Sequence, residues 1–487
     1  MHADPLKSQA MIKVASSVKA SLELVVIFAM AAVFIVLQLT HWEPLTAVLG
    51  ILVFGAIALF LRHLRGMTLW LTVGFMSVGV LLLLVQKASA SYWFQAAGVN
   101  VTLVTLFVFA PLFGIPVRLP AYIAALKRFY ETKLRSRYML FSGTQLLTQT
   151  MAVFLNVGSI PVVYHMVFAK THPGMAMPLA NALNRGFAGA ILWSPYFAAM
   201  AVVLSSLSVE WTAILLPMLG LVAISMLVSI VVEYKALRNA GGDELLEEEQ
   251  AKEQTKENGK GKLTDMGRTE PAVSDGSSSF PVGLGLYLVL AIVAILLLEQ
   301  WVELPMVLIT CFAAVVYPLI WCLGKRETAT YRQGLSHHTS VTLPALKKEM
   351  TLFLAAGFFS GAIGMIGFGD YVPVLLESIP LPVSLSYSIL TIVLIMLTSM
   401  MGLHPIVLVT ILATGIDPAA VQMSPNEAAV LLLGSWCLSN GISPSSAVNN
   451  LLASLFQKSV YEIARPNYRF AVWMGAALLL YLAVITV

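Results

Sequence analysis

The sequence predicts an all-α polytopic membrane protein with about 11 transmembrane helices in two inverted repeats, each holding a re-entrant hairpin and a broken helix. Three observations predict it. Hydrophobic residues make up 58% of the 487, charged residues 11%, and the mean hydropathy is +0.84, whereas soluble domains carry about 25% charge. Apolar runs long enough to cross about 30 Å of hydrocarbon recur along the chain. Finally, one pair of interruptions occurs twice. Asn156-Val157-Gly158-Ser159-Ile160-Pro161 is matched by Met400-Met401-Gly402-Leu403-His404-Pro405, and Trp193-Ser194-Pro195-Tyr196 by Ile442-Ser443-Pro444-Ser445. Hydrocarbon cannot hydrogen-bond a bare N–H or C=O, so non-helical backbone at membrane depth persists only against protein or a wet cavity.

The elements follow in order. Residues 1–43 hold a tail and an extra span, 22–39, which follows Lys7, Lys13 and Lys19 and lacks a small-residue cleavage site, so it reads as retained. The first repeat, 44–233, has plain spans at 44–61, 67–85 and 99–117, a hairpin at 138–168, a broken helix at 177–204 and a span at 211–232. Residues 234–280, with Glu247-Glu248-Glu249 and Gly259-Lys260-Gly261-Lys262, cannot bury a core and are expected to be a disordered linker. The second repeat, 281–487, has spans at 281–298, 304–323 and 350–368, a hairpin at 383–414, a broken helix at 425–456 and a span at 470–487. Two amphipathic stretches, 119–137 and 331–349, are expected along the membrane interface.

Charge sets the orientation. With the N-terminus cytoplasmic, Arg62, Arg65, the cluster from Lys127 to Arg137, the linker, Lys325, Arg326, Lys347, Lys348, Lys458 and Arg465 all fall inside. Outer loops then hold chiefly Lys87, Glu210, Glu299, Glu303, Asp370, Glu377 and Asp417. This requires hairpins that enter and return on one side, and an odd number of crossings between the halves inverts them. The C-terminus falls outside, and the expected location is the plasma (inner) membrane.

The layout resembles the divalent anion:sodium symporter family, within the ion transporter superfamily. In that family a hairpin with a Ser-Asn-Thr-type tip precedes a helix broken at a Thr-Pro-like turn in each half. The corresponding segments are Asn156 to Pro161 and Thr398 to Pro405 for the tips, and Leu192 to Tyr196 and Ser439 to Ala447 for the breaks. Neither tip has an intact Ser-Asn-Thr; Asn156 stands with Ser159, and Thr398 with Ser399. Leu438-Ser439-Asn440-Gly441-Ile442-Ser443-Pro444-Ser445-Ser446-Ala447-Val448-Asn449 is the most family-like stretch, and Gly357 to Gly369 is similarly rich in glycine.

The resemblance implies that tips and breaks meet near the midplane. Hydroxyls, amides and freed carbonyls would bind a cation there while half-helix N-termini face an anion. On that reading the substrate meets Asn156, Gly158, Ser159, Ser194, Pro195, Ser399, Gly402, His404, Asn440, Ser443, Pro444 and Ser445. A cation would meet Asn156, Val157, Ser159, Ser194, Thr398, Ser399, Ser439 and Ser443. Against this, Ser and Thr in membrane helices often bond only their own backbone, for about 1 kcal/mol or less. Arg185, inside a span at an insertion cost of about 2.5–3.5 kcal/mol, either takes a cargo carboxylate or has a structural partner. His404 at a tip is open to protonation. Glu23 is expected at the interface, and Asp370 and Glu427 at helix starts.

The expected function is a secondary active transporter of a small anionic organic solute, carboxylate-like, cation-coupled or exchanging, by alternating access. An ion exchanger or a tripartite-type permease subunit is the alternative within transport. A membrane-embedded enzyme or assembly factor for lipid-linked sugars is the rival class, with Glu210, Asp370 or Glu427 as its active groups. No nucleophile elbow, zinc motif or phosphate loop occurs, so no enzyme is expected. Cys311, Cys322 and Cys437 lack metal-ligand spacing. No cofactor is expected beyond Na+ or H+ as coupling ion. The expected partners are the solute, the lipid bilayer and, from the resemblance, a second copy in a homodimer; nothing suggests nucleic acid.

Overall fold

The computed structural model describes residues 5–133, 136–168, 174–257 and 281–485. Every regular element among them is helical. Ten helices are long and apolar enough to cross a membrane, or eleven when Lys347–Gly364 and Phe368–Glu377, bent by 71° at their break, form a further span. Their outer faces present Trp70, Leu216, Val231 and Leu480, each more than two-thirds exposed. A perimeter that apolar is at home only in lipid, and the chain is a multi-pass membrane protein.

Each half contains a helix pair that folds back and a helix pair that is broken. Hairpin 1 has arms Arg137–Leu155 and Ser159–Val167, and hairpin 2 has arms Val383–Met400 and Pro405–Gly415. In both, the arms pack on each other, and at about 1.5 Å per residue the second arms are far too short to span. Broken helix 1 is Ala176–Ile191 with Ala198–Leu207, and broken helix 2 is Pro425–Ile442 with Ala447–Phe456. The halves interlock by exchange. The short arm of hairpin 1 packs on the second piece of broken helix 2, and the short arm of hairpin 2 on the second piece of broken helix 1.

Around this centre lie the plain helices. Lys347–Gly364 packs on Gly66–Val85, where Gly79 faces Phe358, and on the segment from Ala90 to Asn100, the latter because Gly357 and Gly361 share one face four residues apart. A Cβ at Gly357 would sit 2.7 Å from Asn100 Cβ, and one at Gly361 2.7 Å from Ala96 Cα. The bare backbone lets the helices approach, as small-xxx-small faces do in membranes. Asn100 then donates to the Phe353 carbonyl at 2.9 Å, and the Tyr92 hydroxyl to that of Gly361 at 2.9 Å.

One expectation is corrected, and two segments gain detail. The linker begins later than residue 234, because helix Trp211–Glu257 continues through it. Leu237 is buried, and Arg137 donates to the carbonyls of Leu237 and Arg238 at 2.9 and 3.2 Å, anchoring the extension. The remainder, 258–280, lies outside the described residues. Glu23, at the head of the first span, is 2% exposed and receives Arg62, His63 and Lys347, tying the extra span to both halves. An unpaired buried carboxylate would be prohibitive, and three donors satisfy it. The stretch 331–349 folds as Thr328–His337, a π turn His338–Thr342, Leu343–Ala345 and the start of Lys347–Gly364, and one of its sides lines a cavity. The counterpart of the basic helix Pro120–Lys133 is instead Phe368–Glu377, since each joins a span to a hairpin. The first carries Lys127 and Arg128 and the second Asp370 and Glu377, the sign difference expected of connectors on opposite membrane faces.

Candidate functional site

The two Ser-Pro breaks are the same structure. Ser194 N–H donates to the Ala190 carbonyl at 3.0 Å, and Ser443 N–H to that of Ser439 at 3.1 Å, closing the last helical turn in each case. Each hydroxyl oxygen then accepts the N–H two residues on, from Tyr196 and from Ser445, both at 3.3 Å. The proline between has no N–H to lose. Both second pieces end alike, with Ser208 and Gln457 at φ 52° and ψ 43°. Two segments that share little beyond the Ser-Pro pair thus take one backbone course, as duplicated halves should.

At the hairpin tips, Asn156 adopts φ 50° and ψ −136°, and its Oδ1 accepts the Val157 N–H at 2.7 Å. Gly402, at φ +94°, makes the second turn in a region closed to side chains. His404 Nδ1 accepts the Ile406 N–H at 3.2 Å and caps the short arm. Its Nε2 therefore carries the hydrogen of the neutral ring.

Tips and breaks meet at one cavity of about 590 Å³. Hairpin 1 supplies Asn156, Val157 and Gly158, hairpin 2 supplies His404 and Pro405, broken helix 1 supplies Phe187, Ile191 and Phe197, and broken helix 2 supplies Trp436, Asn440, Ser443 and Ser446. Phe107 and Phe353 complete an apolar, aromatic wall whose members Phe187, Ile191, Phe353 and Trp436 are all buried. The mouth holds Arg118, Gln333 and His337, all exposed. Its connectors are those of the Lys127 and Arg128 side.

The other predicted residues lie around rather than in this wall. Ser159 and Ser399 are fully buried with hydroxyls that have no partner, and neither lines the cavity. Ser194, Pro195, Gly402, Pro444 and Ser445 shape the turns behind it; Ser445 Oγ lies 2.9 Å from Ser443 Oγ. Thr398 donates to the Leu394 carbonyl at 2.7 Å and Ser439 to that of Trp436 at 2.7 Å. These two hydroxyls serve their own helices. Glu427, one of the rival active groups, completes a capping box with Ser424. Among the described residues no group of three or more His, Cys, Asp or Glu could hold a metal ion.

Arg185 is corrected from a cargo ligand to a structural residue. It is 1% exposed and does not line the cavity. Its Nη2 donates to Glu233 Oε1 at 2.7 Å and its Nε to Asn467 Oδ1 at 2.9 Å, and it lies over the Phe470 ring at 4.6 Å. Glu233 also accepts from Asn181 at 2.8 Å. A buried guanidinium with its counter-ion and polar neighbours has nothing left to offer a solute.

Four residues escaped the sequence reading. Arg118 closes the third span of the first repeat, where it reads as an ordinary interfacial charge. In the fold its Nη2 lies 3.3 Å from where a Gly158 Cβ would be, and among the described residues it has no hydrogen-bond or ion-pair partner. Asn449 donates to the freed carbonyls of Gly441 and Ser443 at 3.0 and 2.9 Å, and its Oδ1 accepts from Asn184 across the halves. His338 and Glu349 line the cavity from the segment read as interfacial. For Asn449 the usable signal was polarity inside an apolar run, as it is for its partner Asn184.

No protein-family model matches the chain, and no curated protein sequence does. Among solved structures, the crystal structure of the YdaH transporter of Alcanivorax borkumensis aligns with 87% of this chain and 89% of its own, at 14% identity and a TM-score of 0.45. Similarity at that level identifies neither a family nor a cargo.

Proposed function

We propose that this protein is a secondary transporter that moves an organic anion with an apolar body across the membrane by alternating access. One observation carries the reading: unwound segments from both halves bound a single cavity, and an unpaired guanidinium, Arg118, stands beside one of them. Arg118 takes the carboxylate through paired N–H donors. The His404 Nε2–H and the hydroxyls of Ser443 and Ser446 supply further polar contacts. The aromatic wall takes the rest of the solute, and a cavity this size exceeds what a four-carbon dicarboxylate needs to be enclosed. Hairpins and broken helices move as one body against the plain helices.

On this reading the basic connectors lie in the cytoplasm by the positive-inside rule, with the N-terminus and the cavity mouth beside them, and the conformation faces inward. The test is uptake into proteoliposomes from a panel of mono-, di- and tricarboxylates with and without aromatic or branched bodies. Saturable uptake of the apolar-bodied members is expected. A protein that moves none of them under any imposed gradient is not this transporter.

A further inference from the structure

We infer that His338 is the proton-binding residue of the transport cycle, and that its proton and the cargo anion on Arg118 bind cooperatively, making the protein a proton–anion symporter. This rests on the transport reading above. His338 Nε2 lies 2.8 Å from the Val108 carbonyl oxygen, which can only accept, so Nε2 carries the hydrogen. The neutral ring therefore leaves Nδ1 as a bare lone pair. That atom is sealed from solvent and has no hydrogen-bond partner among the described residues, in a residue 6% exposed that lines the cargo cavity. A buried acceptor left unmade costs stability, and it is made whole when Nδ1 takes a proton and meets an anion. His338 also opens a π turn, His338–Thr342. Such turns are rare and concentrate at functional sites.

The groups that face His338 set the coupling. His337 precedes it, Arg118 reaches the cavity from the end of the neighbouring span, Glu349 stands on Lys347–Gly364 with one carboxyl oxygen unpartnered, and His404 enters from hairpin 2. Burial pushes the imidazole of His338 down from its usual range, the Val108 bond opposes this, and the charges of His337 and Arg118 add to the lowering. An empty cavity thus holds His338 neutral. An anion seated on Arg118 cancels one of the charges that lower the ring's basicity, and the ring takes a proton at Nδ1 as the wall around that atom opens to water on that side. The proton and a monoanion then cross together without net charge and leave to water on the other side. By linkage the protonated ring strengthens anion binding by the same factor, and such couplings commonly amount to about 5- to 150-fold.

The test uses the proton itself as probe. Full-length protein carrying ring-15N histidine is titrated in nanodiscs from about pH 5 to about pH 9, with the His338 signal identified by its loss in His338→Gln. Arg118→Gln should move the His338 midpoint upward by several tenths of a pH unit or more. An unmoved midpoint, or an Nδ1 that never titrates in either protein, overturns the inference. In proteoliposomes, wild-type accumulation should follow an imposed pH gradient and His338→Gln should lose that dependence, a pH profile that a purely structural role would not alter. Uptake in which His338→Gln keeps the full gradient response removes this inference and leaves the transport reading standing. Absence of carboxylate uptake by the wild type removes both.

Discussion

Asn449 donates to the main-chain oxygen of Ser443 at 2.9 Å, holding the open turn of one broken helix from the first turn of the helix piece that follows it. The same carboxamide donates to the Gly441 carbonyl and accepts from Asn184. One side chain thus meets carbonyls that the break frees and joins the two halves behind the cavity. Asn449→Ala should destabilise the protein by about 1–3 kcal/mol, the cost of unmade buried hydrogen bonds. Thermal melting of the purified protein would register it. A melt indistinguishable from wild type would mean water replaces the carboxamide.

Arg118 and Arg185 should separate cleanly when each is changed to Gln. Arg118 is exposed at the cavity mouth and unpaired among the described residues, so its loss should leave the melt unchanged. Cargo affinity should fall by about 10- to 100-fold, the value of a charge-assisted hydrogen bond. Concentration dependence of uptake measures this.

Arg185→Gln strands Glu233 in a buried site, at a cost of about 3–5 kcal/mol. Yield and melting temperature should drop sharply. The double change Arg185→Gln with Glu233→Gln should recover part of that loss, since neither charge then remains. Equal loss in single and double variants would point to packing over Phe470 rather than charge.

The helix crossing at Gly357 is a test of the scaffold alone. A Cβ there would lie 2.7 Å from Asn100 Cβ and 2.9 Å from its main-chain nitrogen, and the second of these is backbone, which cannot swing aside. Gly357→Val should cost about 1–3 kcal/mol or more through overpacking, seen as a lowered melting temperature. Gly324→Val, where nothing lies within 4 Å, is the control and should melt close to wild type.

Glu23 offers a fourth check. Replacing it with Gln leaves Arg62 and Lys347 without their counter-ion at a site where the carboxylate was 2% exposed. The extra span should loosen from the scaffold, by about 3–5 kcal/mol. Faster proteolysis between Thr40 and Pro44 would report it.

The sequence by itself determined that the chain is all-helical, that it is built for lipid, and that backbone is broken at Asn156 to Pro161, Ser194-Pro195, Gly402 to Pro405 and Ser443-Pro444. These follow from local physics: apolar content sets the solvent, and Gly, Pro and Ser at fixed spacing decide where a helix can run. What a charge does was not local. Arg185 stood out inside a span and Arg118 only as a charge at a span end, and tertiary structure reversed their roles: it gave the first a buried partner in Glu233 and set the second, unpaired among the described residues, beside Gly158. Likewise 331–349 has the composition of an interfacial helix, and its place in the cavity wall came from packing against residues such as Ile115 and Val108, far away in the chain. Periodicity and propensity act over a few residues. The partner of a buried polar group is chosen by which helices the fold brings side by side, and that choice is written in many weak contacts rather than in any one motif.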